Sequence, residues 1–165
     1  MIELICLDVD GTLTDGKLYY SDLGMEMKAF NVHDGLGIAC WLKLGKKIAL
    51  ISGRDAKNVQ TRAQELGITE CFLGIRDKKQ VVLKLMEKYQ LQSHQIACIG
   101  DDLNDLPMFA ICGMSFTPAN AAKIMHNYAK YILTANGGEG AVREMIDFLI
   151  VQEKLEGKVL EFFTK

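Results

Sequence analysis

A chain of 165 residues, 49% hydrophobic and 24% charged, has enough apolar material for one substantial core, so a single domain spanning residues 1–165 is expected. Its formal net charge of −2 supplies no broad basic field, which argues against nucleic acid and anionic membrane as partners and favours a small molecule. The opening MIELICLDVDG carries Glu3 and only a short apolar run, unlike a secretory signal, and no stretch approaches the roughly 20 apolar residues of a membrane span. A cytoplasmic chain is expected. The five cysteines are widely spaced and form no CxxC pair, so they read as buried structural thiols rather than metal ligands or a disulfide framework.

In chain order, the apolar run at residues 2–7 suits a buried strand and stops abruptly at Asp8. The stretch GKLYYSDLGMEMKAFNV, about 16–32, sets two partly alternating runs around a Ser-Asp-Leu-Gly turn and reads as a β-hairpin. Further apolar runs at 48–51, 71–73 and 96–99 each precede a turn bearing glycine or aspartate. Between and after them lie helical stripes: Val59, Ala63 and Leu66 before Gly67; Val82, Leu85, Met86 and Tyr89; and Val142, Met145, Ile146, Leu149 and Ile150. The charged tail, about 153–165, carries Val159, Leu160, Phe162 and Phe163 and suits a helix extension, a mobile end or a docking segment. Strands alternating with helices predict an α/β fold, a three-layer Rossmann-like parallel sheet with helices on both faces and a hairpin flap. Ligands of such a sheet bind outside the carboxyl ends of its strands.

The polar motifs fall at those ends. Asp8-Val9-Asp10-Gly11-Thr12 places two carboxylates two residues apart where both can project from one side, and glycine lets the chain turn close to a ligand. One carboxylate can accept a phosphoryl group while the other protonates the leaving oxygen. Taken alone, such a pair is more often a solvated strand end or a structural turn. Gly100-Asp101-Asp102-Leu103-Asn104-Asp105 follows another strand and suits Mg²⁺, which prefers hard oxygen ligands, or simply the start of a helix. Ser52-Gly53-Arg54 and Asp77-Lys78 add a hydroxyl donor, a planar cation and a point charge for a phosphate.

These four ordered motifs, spread over most of the chain, resemble those of the haloacid dehalogenase superfamily phosphatases. The resemblance implies Asp8 as nucleophile, Asp10 as general acid/base, and Ser52 and Lys78 as phosphate ligands. It also implies Mg²⁺ held by Asp8, the Asp10 backbone carbonyl and Asp101, with Asp102 and Asp105 as supporting acids. The stretch between Ser52 and Lys78 is filled by a helix and a strand, leaving no room there for a large cap domain, and the insertion after Asp10 has room for little beyond the hairpin.

DVDGTLTDG, FNVHDG, SGR, Arg62 and GGEGAVRE narrow the resemblance to the capless 3-deoxy-D-manno-octulosonate 8-phosphate phosphatases of lipopolysaccharide precursor synthesis. That family implies a homotetramer with sites completed by a neighbouring subunit. It also implies substrate contacts from Asp10, Asn31, Val32, His33, Asp34, Gly35, Arg54, Arg62 and Lys78. His33 stands where the family commonly has arginine. Arg62 also fits a solvated helix face, and the glycines of GGEG fit a turn before the last helix as well as a substrate cradle. A nine-carbon 2-keto acid phosphate is the alternative substrate, and a noncatalytic assembly module is the alternative of another class.

Overall fold

The computed structural model describes residues 1–164. Six parallel strands form one sheet in the order β5-β4-β1-β6-β7-β8. They are β1 (Leu4–Leu7), β4 (Lys47–Ile51), β5 (Glu70–Phe72), β6 (Ile96–Ile99), β7 (Met114–Thr117) and β8 (Tyr131–Ile132). The antiparallel pair β2 (Tyr19–Tyr20) and β3 (Glu26–Met27) stands apart as a small ribbon. Among the described residues there are six α-helices: α1 (Val32–Lys43), α2 (Lys57–Glu65), α3 (Lys78–Tyr89), α4 (Leu106–Phe109), α5 (Ala141–Gln152) and α6 (Glu156–Thr164).

Because successive side chains of a strand point to opposite faces, a strand buried on both sides must be apolar throughout. In β1, Ile5 and Leu7 join a core with Ile38 and Trp41 of α1, Val59 and Ala63 of α2, and Val142, Met145 and Leu149 of α5. Leu4 and Cys6 enter a second core with Val81, Val82 and Leu85 of α3 and Met108 and Phe109 of α4. The three layers are thus two helical layers around one sheet. Chain order runs outward from β1 to β4 and β5, then crosses to β6. The carboxyl ends of β1 and β6 therefore flank the point where the winding reverses, the place where open α/β sheets bind ligands.

Several elements differ from the sequence expectation. The hairpin's paired strands are two residues each, shorter than the 16–32 span, and Val32 already begins α1. Helix α1 and strands β7 and β8 had no counterpart among the expected elements. The tail becomes a separate helix after Lys154, whose φ is +58; Leu155 is buried and Phe162 lies 4.5 Å from Lys43 Nζ. Its last residue, Lys165, lies outside the described residues. No described helix is long and apolar enough to cross a membrane. All five cysteines are free, four of them buried.

Candidate active site

After β1 the chain winds tightly: the backbone amides of Thr12, Leu13 and Thr14 all donate to the Val9 carbonyl, at 3.2, 2.9 and 3.0 Å. Gly11 sits in this turn at φ +92, and a Cβ there would run into the Asp101 carboxylate. Glycine is required on both counts, for its left-handed backbone and for the close approach of the first motif to the third acid. Gly137, from the GGEG segment, packs against the Gly11 carbonyl, and the Gly138 amide donates to the Thr12 carbonyl at 3.1 Å. That segment packs against the turn after Asp8 and does not line the cleft beyond β1, β4 and β6, so it forms no cradle there.

The loops beyond β1, β4 and β6 enclose a cleft of about 300 Å³ lined by Asp8, Asp10, Ser52, Arg54, Asp101, Asp102 and Asn104, with Gly16 and Gly53. Behind it lies Lys78, only 1% exposed at the first position of α3. Its ammonium donates to Asp8 Oδ1 and, at 2.6 Å, to Asp105 Oδ1. Asp105 in turn accepts from the backbone amides of Asp101 and Asp102 at 2.9 and 3.3 Å, holding the acidic loop in shape. Ser52, 1% exposed, accepts from the Arg54 amide at 3.2 Å.

Carboxylate oxygens of Asp8, Asp101 and Asp105 lie within 4.8 Å of one another, with one lysine between them. Burial, and then the charge of Asp105, push the Asp8 carboxyl well above its ordinary range although Lys78 pulls it down. Asp101 is raised to about 7 by burial and by Asp105 and Asp102. For Lys78 burial works downward, but the charges of Asp8 and Asp105 prevail and leave it raised. Asp8 Oδ2 is buried without a hydrogen-bond partner. Excess negative charge, hard oxygen donors and one orphaned carboxylate oxygen fit a divalent cation such as Mg²⁺. Asp8 and Asp101 are its available ligands, since both oxygens of Asp105 are already engaged. Asp102, exposed, caps the short 3₁₀ turn Leu103–Asp105 through the Leu103 amide at 2.7 Å.

The expected substrate contacts divide. Arg54 lines the cleft and Lys78 backs it, but Asn31, Val32, His33, Asp34, Gly35 and Arg62 are not on the cleft wall. Asn31 caps α1 by accepting from the His33 amide at 2.8 Å. Asp34 is fully buried and accepts from the Arg143 amide at 2.8 Å, so it clamps the start of α5 instead of facing solvent; burial raises its carboxyl. Arg62 packs over the Phe30 ring and against Gly35, and pairs with Glu65 at 3.3 Å.

Two residues without any sequence-based assignment join the site. Lys28, just past β3, pairs with Asp10 Oδ1 and with Glu26 at 3.1 Å, and its side chain is fully buried. Glu26 pairs with Arg54 at 2.7 Å. A larger groove of about 600 Å³ at the β8 edge has two carboxylates, Glu144 and Asp147, but both are committed, to the Thr134 and Ala135 amides and to Arg143.

A family model for haloacid dehalogenase-like hydrolases matches residues 74–146, the stretch carrying Lys78 and the Asp101–Asp105 loop. Over 157 residues the chain is 44% identical to 3-deoxy-D-manno-octulosonate 8-phosphate phosphatase of Yersinia pestis, covering 94% of this chain and 84% of that one. The chain belongs to the 3-deoxy-D-manno-octulosonate 8-phosphate phosphatase family. A second member of this phosphatase family, from Haemophilus influenzae, is 40% identical over 163 residues, 99% of this chain and 89% of its own. The family's Moraxella catarrhalis phosphatase has been crystallised with a magnesium ion, a phosphate ion and a KDO molecule. It superposes with a TM-score of 0.92 at 36% identity, covering 98% of this chain and 93% of its own.

Proposed function

We propose that this chain is a Mg²⁺-dependent phosphatase that hydrolyses 3-deoxy-D-manno-octulosonate 8-phosphate to the free sugar acid and phosphate, a step of lipopolysaccharide precursor synthesis. The observation that carries this reading is the convergence of Asp8, Asp10, Ser52, Lys78 and Asp101, from four separated motifs, around one cleft. Membership of the phosphatase family supports the substrate.

In the first half-reaction an Asp8 carboxylate oxygen attacks phosphorus, the bond to the ester oxygen breaks, and Asp10 gives its proton to that oxygen. In the second, water attacks the aspartyl phosphate and passes a proton to Asp10, and the electron pair of the breaking bond returns to Asp8. The sum is ester plus water giving alcohol plus phosphate. Lys78 supplies a fixed positive charge beside the nucleophile and Ser52 a hydroxyl donor, so charge on the transferring group meets preorganised partners. Mg²⁺, when bound by Asp8 and Asp101, neutralises phosphate charge and orients its oxygens. Arg54 suits the substrate's carboxylate as a planar cation on the cleft wall.

An open cleft excludes water poorly. Leu18, Tyr19, Tyr20, Leu23, Met25 and Met27 of the ribbon are exposed, which supports assembly through it into the homotetramer expected of the family, with a neighbour completing each site. Asn31, Val32, His33 and Arg62 are substrate contacts only in that shared site, while Asp34 and Gly35 are buried and support them from within α1. A cytoplasmic location agrees with five free thiols.

The test is phosphate release by purified protein with Mg²⁺ from a panel of sugar and sugar-acid phosphates. Preference for the eight-carbon acid phosphate, abolished by Asp8→Asn, is expected. Preference for a nine-carbon acid phosphate would move the substrate assignment, equal turnover of six-carbon sugar phosphates would overturn it, and no release from any ester would leave the assembly module.

A further inference from the structure

The ribbon does more than present an outer apolar surface. Residues two apart on an extended strand share a face, and in the run Met25-Glu26-Met27-Lys28 the methionines are 61% and 60% exposed while the Lys28 side chain is fully buried and that of Glu26 is 19% exposed. The inner face therefore carries two opposite charges side by side. Each engages a residue of the cleft wall: Lys28 donates to Asp10 Oδ1, and Glu26 accepts from Arg54 Nη2 at 2.7 Å. Lys28 and Glu26 also pair with each other at 3.1 Å, so Asp10, Lys28, Glu26 and Arg54 form one chain of alternating charge. Two further hydrogen bonds brace it, Asn58 Nδ2 donating to the Glu26 carbonyl at 3.3 Å and Arg54 Nη2 to the Tyr20 hydroxyl at 3.1 Å. An ammonium buried this completely is retained at a desolvation cost that only well-placed acceptors offset, and one of those acceptors is Asp10.

We infer that Lys28 is a positioning residue for Asp10, the group through which the ribbon fixes the acid/base of the reaction. This rests on the reading of Asp10 as the proton carrier. By holding Oδ1, Lys28 leaves Oδ2, which accepts no hydrogen bond among the described residues, as the oxygen that exchanges the proton. A carboxylate free to rotate would present either oxygen at varying distance, and proton transfer is steeply sensitive to such placement. When water attacks the aspartyl phosphate, its proton moves to Oδ2, the new bond to phosphorus forms, and the bond to Asp8 breaks with its electron pair returning to Asp8. Lys28 takes no part in these bond changes.

The consequence separates the two half-reactions for p-nitrophenyl phosphate, whose leaving group departs without a proton. With that ester and Mg²⁺ in a rapid-mixing experiment, Lys28→Met is expected to keep a burst of close to one p-nitrophenolate per site. Its steady-state turnover should then fall about 10- to 100-fold with kcat/KM within about threefold of wild type, because slowing only hydrolysis of the intermediate lowers kcat and KM together. Lys28→Arg, which preserves the cation, should recover turnover to within about fivefold of wild type. Asp10→Asn serves as control and should show the same burst followed by slower turnover.

Wild-type steady-state turnover in Lys28→Met would overturn the inference, as would a loss wholly in KM, which would make Lys28 a substrate ligand. Loss of burst amplitude with no recovery by Lys28→Arg would reduce it to a structural role. If Lys28→Met lacks a cooperative thermal transition, Glu26→Gln carries the test, since it leaves the Lys28 contact to Asp10 and weakens the Glu26 pairs to Lys28 and Arg54. Slowing smaller than that of Asp10→Asn, with the burst intact, is expected there, and unchanged turnover would overturn the charge chain. Should Asp10→Asn itself turn over like wild type, the reading of Asp10 falls; should it slow while Lys28→Met does not, only the inference about Lys28 falls.

Discussion

Replacing Lys78 by methionine removes one charge from the most crowded part of the molecule while keeping most of the side chain's volume. The lysine is 1% exposed and lies between Asp8 and Asp105, 2.6 Å from the latter. Removing one partner of a buried ion pair typically costs about 3–5 kcal/mol because the other charge is stranded. Here the stranded groups have an escape. The Asp8 carboxyl is already well above its ordinary range and Asp101 is raised to about 7, so the cluster can take up protons and shed part of the penalty. A carboxyl raised in the folded state binds protons that the unfolded chain releases, so folding weakens as pH rises from the unfolded value through the folded one. Without Lys78 those carboxyls rise further. The stability gap to wild type should therefore be small near pH 5 and widen toward pH 8, to about 2–4 kcal/mol once proton uptake is allowed for. In a chain of this size that corresponds to a fall in Tm of about 5–15 °C. Urea unfolding at both pH values measures the gap. Turnover should fall by at least about 100-fold, as for loss of a preorganised donor to the transition state. A gap independent of pH, or turnover within a few-fold of wild type, would refute this account of Lys78.

Asp8→Asn should abolish phosphate release while leaving Tm unchanged or higher, because burial already disfavours the charged form of this carboxyl; thermal unfolding without Mg²⁺ decides, and a marked fall in Tm would count against it. Mg²⁺ affinity should weaken as pH drops through about 7, by up to about tenfold per pH unit, because the ion must displace the proton held by Asp101 at about 7. Calorimetry at pH 6 and 8 tests this, and proton release near pH 7 should accompany binding. Gly11→Ala should lose both Mg²⁺ binding and activity, since φ is +92 and the added carbon meets Asp101; titration calorimetry and phosphate release check it.

Much of the fold was legible because burial on both faces leaves a plain mark. The apolar runs of β1, β4 and β6 needed no tertiary information, and the acids and cations after them stood out as interruptions. Strand β7 was hidden because Ser115 and Thr117 dilute its run, although both are buried. Strand β8 has two residues, both exposed. Helix α1 was obscured by Gly35 and Gly37, poor helix formers that pack against the Arg62 and Arg143 side chains; Ile38 and Trp41 on its buried face were the available signal.

Charges were harder to assign than apolar residues, because their role depends on what folding brings beside them. Asp34 read as a ligand, yet packing places it under the first turn of α5 with no solvent contact. Glu26 and Lys28 passed unremarked within a segment read for its shape, although the alternation with Met25 and Met27 marked an inner face. The pairing of that face with Asp10 and Arg54 joins positions remote in sequence, which local pattern does not encode.

The identity of the nucleophile is tested most directly by trapping its phosphate. In Asp10→Asn, where hydrolysis of the intermediate is slowed, acid quenching during turnover of p-nitrophenyl phosphate labelled in its phosphate, an ester whose leaving group needs no proton, followed by peptide mapping, should place one acid-stable, hydroxylamine-labile label on Asp8. Label on another residue, or steady phosphate release with Asp8 never labelled, would contradict the mechanism.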